Sequence, residues 1–349
     1  MNYKLRTNTG FTLIELLVAV GILAVVISFA GVIFNVSMGA HRTAMANAEI
    51  MQKLRAITNQ LNADFRSLSK ESEIFVVWVA RPLPANTGYR DNDLDGYERF
   101  DRIMFFTNGD FQSYGVNPFV RGNVARICYM IARRNNARPE NQGRTERVLA
   151  RTQHILTSDP TLTNFLDPNN FTDLQWVEWN NRYEYDKVSP ETWKRIPWQN
   201  KQDMLSVITD TTVGTSTVNE QVRGAMVDPA DANSIHNLLC EGVGEFKIQG
   251  WYDAQRRWVP EVDPDGNGDL TDTHFYDPTD PNVPGVLYPF PPYGGVKINH
   301  IGYPRDEIDA EHFGSIPGLG RALKFTFTLF DSRGLIKDGR TFTHIVYLD

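Results

Sequence analysis

Gly10-Phe11-Thr12-Leu13-Ile14-Glu15, followed by the run from Leu16 to Phe34, is the stretch on which the fold turns. From Leu16 to Phe34 the chain is apolar apart from small residues and Ser28. About 20 helical residues at 1.5 Å rise cross a hydrocarbon layer about 30 Å thick, so this run is of membrane length. Lys4 and Arg6 lie in front of it, and basic flanks stay cytoplasmic, which predicts a single-pass inner-membrane segment with its N-terminus inside. A cleavable secretory signal would have a shorter apolar region, then a small-residue cleavage site and unrelated sequence. Here the helical pattern continues. Ile50, Leu54, Ile57, Leu61, Phe65 and Leu68 follow one another at spacings of three or four, forming one helical stripe, and no proline falls between residues 11 and 70. The expectation is one helix of about 55 residues, in the membrane over 11–36 and packed as an amphipathic segment on a globular region over 37–70.

Glu15 is the residue that a plain membrane anchor does not explain. An ionisable side chain inside an apolar segment costs about 2.5–3.5 kcal/mol on insertion, and such residues normally have a partner or a function. Its carboxylate needs a cation. Farther out, removal of residues 1–10 takes away Lys4 and Arg6, leaving 33 basic against 42 acidic side chains and a formal charge of −9. That balance offers no footprint for nucleic acid.

Residues 10–15 resemble, residue for residue, the signal of type IV prepilins and type II secretion pseudopilins. By that resemblance a prepilin peptidase cuts between Gly10 and Phe11 on the cytoplasmic face and methylates the new amine of Phe11. Residues 1–10 are then a leader peptide. Glu15 becomes the fifth residue of the mature chain, where in the family it pairs with the N-terminal amine of a neighbouring subunit during assembly. A residue without Cβ at Gly10 also lets a protease approach the backbone closely.

After the helix, Ile74–Ala80, Ile103–Thr107, Arg126–Ala132, Val148–His154, Leu238–Ile248, Ala322–Phe330 and Thr341–Leu348 mix β-branched and aromatic residues between turn-formers, as strands do. A helix burying its stripe on antiparallel sheet gives an α+β class, with residues 71–349 as the globular head. In Leu323-Lys324-Phe325-Thr326-Phe327-Thr328-Leu329 alternate positions are apolar, which predicts one buried face. Leu61-Asn62-Ala63-Asp64-Phe65-Arg66, Ala125-Arg126-Ile127-Cys128-Tyr129-Met130-Ile131, Arg147-Val148-Leu149-Ala150-Arg151 and Leu238-Leu239-Cys240-Glu241-Gly242-Val243 are similar to segments of pseudopilin J and PilW-type minor pilins. Residues 155–233, with Trp176, Trp179, Trp193 and Trp198, and the Asp/Pro/Gly-rich residues 253–316 depart from that pattern and read as insertions.

Two acidic loops have oxygen ligands at alternate positions and glycine at the sixth, the spacing that wraps a chain around Ca²⁺. They are Asp91, Asp93 and Asp95 with Gly96, and Asp263, Asp265, Asn267 and Asp269 with Gly268. The twelfth positions are Arg102 and His274, so a bidentate carboxylate must come from elsewhere: Asp101 or Glu98 in the first loop, Asp272 or Asp277 in the second. The other reading is exposed Asp/Gly turns. Cys128 and Cys240 both fall on expected strands, where they are either one disulfide or two buried thiols. H-E-x-x-H, G-x-S-x-G, P-loop and G-x-G-x-x-G patterns are all missing, so no catalytic residue is nominated.

The sequence therefore points to a structural subunit, a minor pseudopilin or minor pilin. The resemblance implies other pilins, the prepilin peptidase and an inner-membrane assembly platform as partners. A bulky head with two insertions suits a filament tip better than a close-packed shaft. The second reading is a tip adhesin that uses the Trp-rich insertion.

Overall fold

The structure, a computed structural model, describes residues 12–69, 74–82, 97–114, 119–134, 142–157, 185–186, 191, 195, 226–227, 237–252, 256–259, 296–297 and 322–348. One helix, α1 (Leu13–Arg66, 54 residues), opens the chain and spans about 80 Å at helical rise. It ends earlier than its apolar stripe suggests. Ser67 caps it, and Leu68 pairs with Thr107 as an isolated bridge, so the last residue of the stripe belongs to the sheet.

The strands are β1 (Phe75–Pro82), β2 (Tyr97–Arg99), β3 (Arg102–Gln112), β4 (Arg121–Arg134), β5 (Val148–Leu156), β6 (Tyr185–Asp186), β7 (Met226–Val227), β8 (Leu238–Glu241), β9 (Val243–Tyr252), β10 (Arg257–Val259), β11 (Val296–Lys297), β12 (Ala322–Leu329) and β13 (Arg340–Tyr347). They form two sheets. The larger runs β11-β1-β3-β4-β5-β6, with β2 beside β1, β7 beside β4 and β8 beside β5, and the smaller runs β10-β9-β12-β13. All pairings are antiparallel except the two-residue contacts of β6 and β7. This is the expected α+β arrangement of a long N-terminal helix on antiparallel sheet.

Each of the seven expected strands is present, with one correction. Leu238–Ile248 is two strands in two sheets: β8 pairs with β5, whereas β9 pairs with β12. The change of sheet occurs at Gly242, whose φ of 72° is a backbone conformation that side chains with a Cβ rarely adopt. Its N–H donates to the Arg147 carbonyl and its own carbonyl accepts from the Phe330 N–H, both at 2.8 Å. A Cβ there would lie 2.9 Å from the Phe330 carbonyl oxygen. Gly242 is thus the stitch between the sheets.

The second half of α1 closes the space between the sheets. Ile50, Ile57 and Leu61 are fully buried, and Phe65 stacks on Phe105 of the larger sheet at 4.2 Å while meeting Phe325 of the smaller at 5.7 Å. The alternation in β12 places Leu323, Phe325, Phe327 and Leu329 in this core. Its other face is less open than expected, because Thr326 and Thr328 are also buried. Their hydroxyls pair with Thr343 and Thr341 of β13, which lets polar side chains be buried with partners.

Candidate functional site

Among the described residues, the first half of α1 has no packing partner. Every residue from Thr12 to Met45 is exposed, the most apolar stretch included, and among the described residues α1 alone is long and apolar enough to cross a membrane. Exposure of Leu13 at 76%, Ile14 at 73% and Phe34 at 66% is intolerable for a helix in water. Such a surface fits contact with lipid or with other helices.

Glu15 lies at the end of this stretch. Between residues 11 and 40 it is the one ionisable side chain. Its carboxylate accepts from the Thr12 N–H and from the Thr12 hydroxyl, each at 2.9 Å, and its own N–H donates to Thr12 Oγ1 at 3.3 Å. This is a capping box, with Thr12 as N-cap and Glu15 in the first turn. A negative charge there also complements the helix dipole. Both donors to Glu15 are neutral, so the carboxylate retains its charge and acceptor capacity for an incoming cation. The T-x-x-E pattern could have revealed the cap from sequence; reading Glu15 only as an unpaired membrane charge passed over it. Gly10 and Phe11 lie outside the described residues.

At the far end of the same helix a second carboxylate is fully engaged. Asp64 accepts from Arg151 Nε at 2.7 Å and Nη2 at 2.8 Å, from Gln60 Nε2 at 3.2 Å, and from the Tyr129 hydroxyl. Its main-chain carbonyl accepts from Thr107 Oγ1 at 3.0 Å. Burial, reinforced by the neighbouring carboxylate, pushes the Tyr129 hydroxyl well above its ordinary pKa. Burial also disfavours the Arg151 cation, but the bonds it donates to the Asp64 carboxylate and that group's charge outweigh this and raise its pKa. The cluster ties α1 to β3, β4 and β5. It joins three of the segments singled out in the sequence, though nothing in their spacing announces the contact.

The cysteines are free thiols, both buried. Cys128 sits opposite Thr152, and Cys240 opposite Leu149, on either side of β5. Positions 149 and 152 of one strand face opposite ways, so the two sulfurs lie on opposite faces of the sheet and the disulfide alternative is corrected to two core thiols. Burial pushes each to a pKa of about 12, which leaves them inert at neutral pH.

Asp101, one carboxylate considered for the first acidic loop, is also corrected. It is fully buried, pairs with Arg99 at 2.7 and 3.0 Å, and accepts the Ile248 N–H at 2.7 Å. It is held in the core by those partners. Asp91, Asp93, Asp95, Asp263, Asp265, Asn267, Asp269 and Asp272 lie outside the described residues, as do the four tryptophans of the first insertion. Among the described residues no three His, Cys, Asp or Glu side chains gather as a metal site.

Residues 5–31 match the family model described as the prokaryotic N-terminal methylation motif. No curated protein and no solved structure matches the chain. The chain therefore carries a type IV pilin-like processing signal, read by prepilin peptidase, on a helix that fits a single-pass membrane anchor.

Proposed function

We propose that this chain is a structural subunit of a membrane-anchored filament of the type IV pilin class, a minor pseudopilin or minor pilin that sits at the tip. The observation that carries this reading is the helix itself: one half burying a stripe in the head, the other wholly exposed and bearing, within the methylation motif, a carboxylate bonded only to its own N-cap. Cleavage before Phe11 leaves an amine four residues ahead of Glu15. In the bilayer the exposed apolar face packs on neighbouring helices, and the Glu15 carboxylate meets the amine of the next subunit, where low dielectric makes that pair strong. The two together fix axial register. Size favours the tip, because a large head with insertions hinders the close repetition of a shaft.

Intact mass of the chain purified from its native membrane tests the processing step. The reading requires a chain that begins at a singly methylated Phe11; an uncleaved chain, or one cut elsewhere, would sink it. We also propose Ca²⁺ as a ligand of the loops at residues 91–96 and 263–269, on the strength of their alternating oxygen ligands. Absence of both binding heat and thermal shift at millimolar Ca²⁺ would refute that site.

A further inference from the structure

We propose that the connection between β12 and β13, residues 332–340, is a docking surface for the anionic lipid headgroups of the membrane that holds the chain's own helix; this rests on the membrane-anchored reading above. The course of β12 sets the place of this connection. Phe325 meets Phe65 at 5.7 Å, and seven residues later Ser332 bonds Glu49, sixteen positions back along α1. About 24 Å of helix and about 23 Å of strand thus cover the same span, so β12 runs antiparallel to α1, toward its apolar half. The connection lies at the membrane-facing end of the head. What stands opposite it follows from the anchor itself: a bilayer surface.

The connection is tied down. The Asp331 carboxylate accepts from the Leu335 and Ile336 N–H groups, each at 2.9 Å. Lys53 of α1 donates to the Phe330 carbonyl at 2.8 Å, and Glu49 accepts the Ser332 N–H at 2.8 Å and its hydroxyl at 3.0 Å. Those bonds engage Asp331 and Glu49, and what faces outward is basic. Arg333, Lys337 and Arg340 are exposed against Asp338 alone, with Leu335, 44% exposed, as the apolar residue among them. Arg42 is a fourth exposed cation, and its spacing of seven from Glu49 puts it on the same side of α1, nearer the membrane. No side-chain bond joins any of these four cations to a described residue. Elsewhere at this end Arg134 and Arg144 are balanced by Glu146 and Glu241.

This local excess of positive charge stands in a chain that is net negative, and an anionic headgroup layer is its complement. The distances agree. Arg42 is about 9 Å beyond residue 36, where the apolar segment ends, and the headgroup layer is about 5–7 Å deep, so its side chain meets that layer. Glu49 is about 20 Å beyond residue 36 along the axis, and a helix tilt of the ordinary ~20° toward the connection brings the turn cations nearer. Attraction to the headgroups then acts across a Debye length of about 8–10 Å, before contact. Leu335 adds an apolar side chain for the interface, as surface-bound segments do. Because Lys53 and Glu49 fix the connection to α1, headgroup binding also fixes the tilt of the helix.

The test uses the full-length chain in vesicles of phosphatidylcholine alone and of phosphatidylcholine mixed with phosphatidylglycerol. A spin label is placed on Leu335→Cys and, in a separate sample, on Phe29→Cys; the native cysteines are buried thiols and stay unlabelled. Collision of the label at position 335 with a water-soluble nickel complex should fall at least about threefold in the anionic vesicles, and the fall should vanish at ~1 M salt, where the Debye length is about 3 Å. Arg333→Gln, Lys337→Gln and Arg340→Gln combined should abolish the fall, while Arg66→Gln, an exposed cation at the far end of α1, should leave it intact. Equal collision in the two kinds of vesicle overturns the proposal. So does shielding that survives high salt or arises in phosphatidylcholine alone, which marks a protein contact instead. The label at position 29 separates the two readings. Shielded from nickel in both vesicles, it upholds the anchor whatever position 335 reports; open to nickel in both, it overturns anchor and proposal together.

Discussion

Glu15 and Asp64 are carboxylates on one helix, 49 residues apart, and the fold treats them in opposite ways. Asp64 is 6% exposed and receives donors from the helix, from β4 and from β5. Glu15 receives donors only from its own N-cap. The apolar residues around them differ in the same sense, with Ile57 fully buried and Ile14 73% exposed. A charge satisfied inside the chain serves the chain's stability. A charge left open, on a helix face that water will not tolerate, implies a partner from outside.

The largest expected effect on stability comes from breaking the satisfied end. Asp64→Ala leaves Arg151 and the Tyr129 hydroxyl without their acceptor. It should cost about 3 kcal/mol in denaturant unfolding of the solubilised chain, the lower end for a buried pair because Arg151 keeps 17% of its exposure. A loss under about 0.5 kcal/mol would mean the cluster does not hold α1 to the sheet. Gly242→Ala should cost about 1–3 kcal/mol through positive-φ strain and collision with the Phe330 carbonyl, read in the same assay. An unchanged midpoint would show that the sheets are not stitched there.

A smaller effect concerns His344. Burial holds its pKa below the ordinary histidine value, so the unfolded chain takes up the proton more readily than the folded one. The sign follows: stability is complete above the unfolded pKa of about 6.5 and declines as the pH falls below it. His344→Gln should flatten the fall in Tm between about pH 7 and pH 5 relative to wild type, whereas parallel curves would remove His344 as the cause.

These contrasts also show what the sequence could and could not tell. The long helix was legible because its apolar stripe and its lack of proline are local facts. The strands were legible because β-branched and aromatic residues sit between turn-formers. The break at Gly242 was hidden: a glycine within a strand pattern does not say whether the chain bulges or leaves its sheet, and only the Phe330 and Arg147 contacts decide. The Asp64 cluster was hidden for the same reason, since Arg151 lies 87 positions away. Burial of Thr326 and Thr328 depended on hydroxyl partners in β13, which alternation along one strand cannot show. At the site, Glu15 was evident from its apolar surroundings and its motif, whereas the role of Thr12 emerged only with the cap geometry.

The central claim is that Glu15, beyond capping its own helix end, serves assembly and not the packing of the head, and the Glu15→Ala chain tests it most directly. Its quantity in the membrane, its unfolding midpoint and its incorporation into filaments should be measured together. The account predicts normal insertion, an unfolding midpoint matching wild type, and loss of incorporation. Filaments that contain the variant at wild-type levels would contradict it.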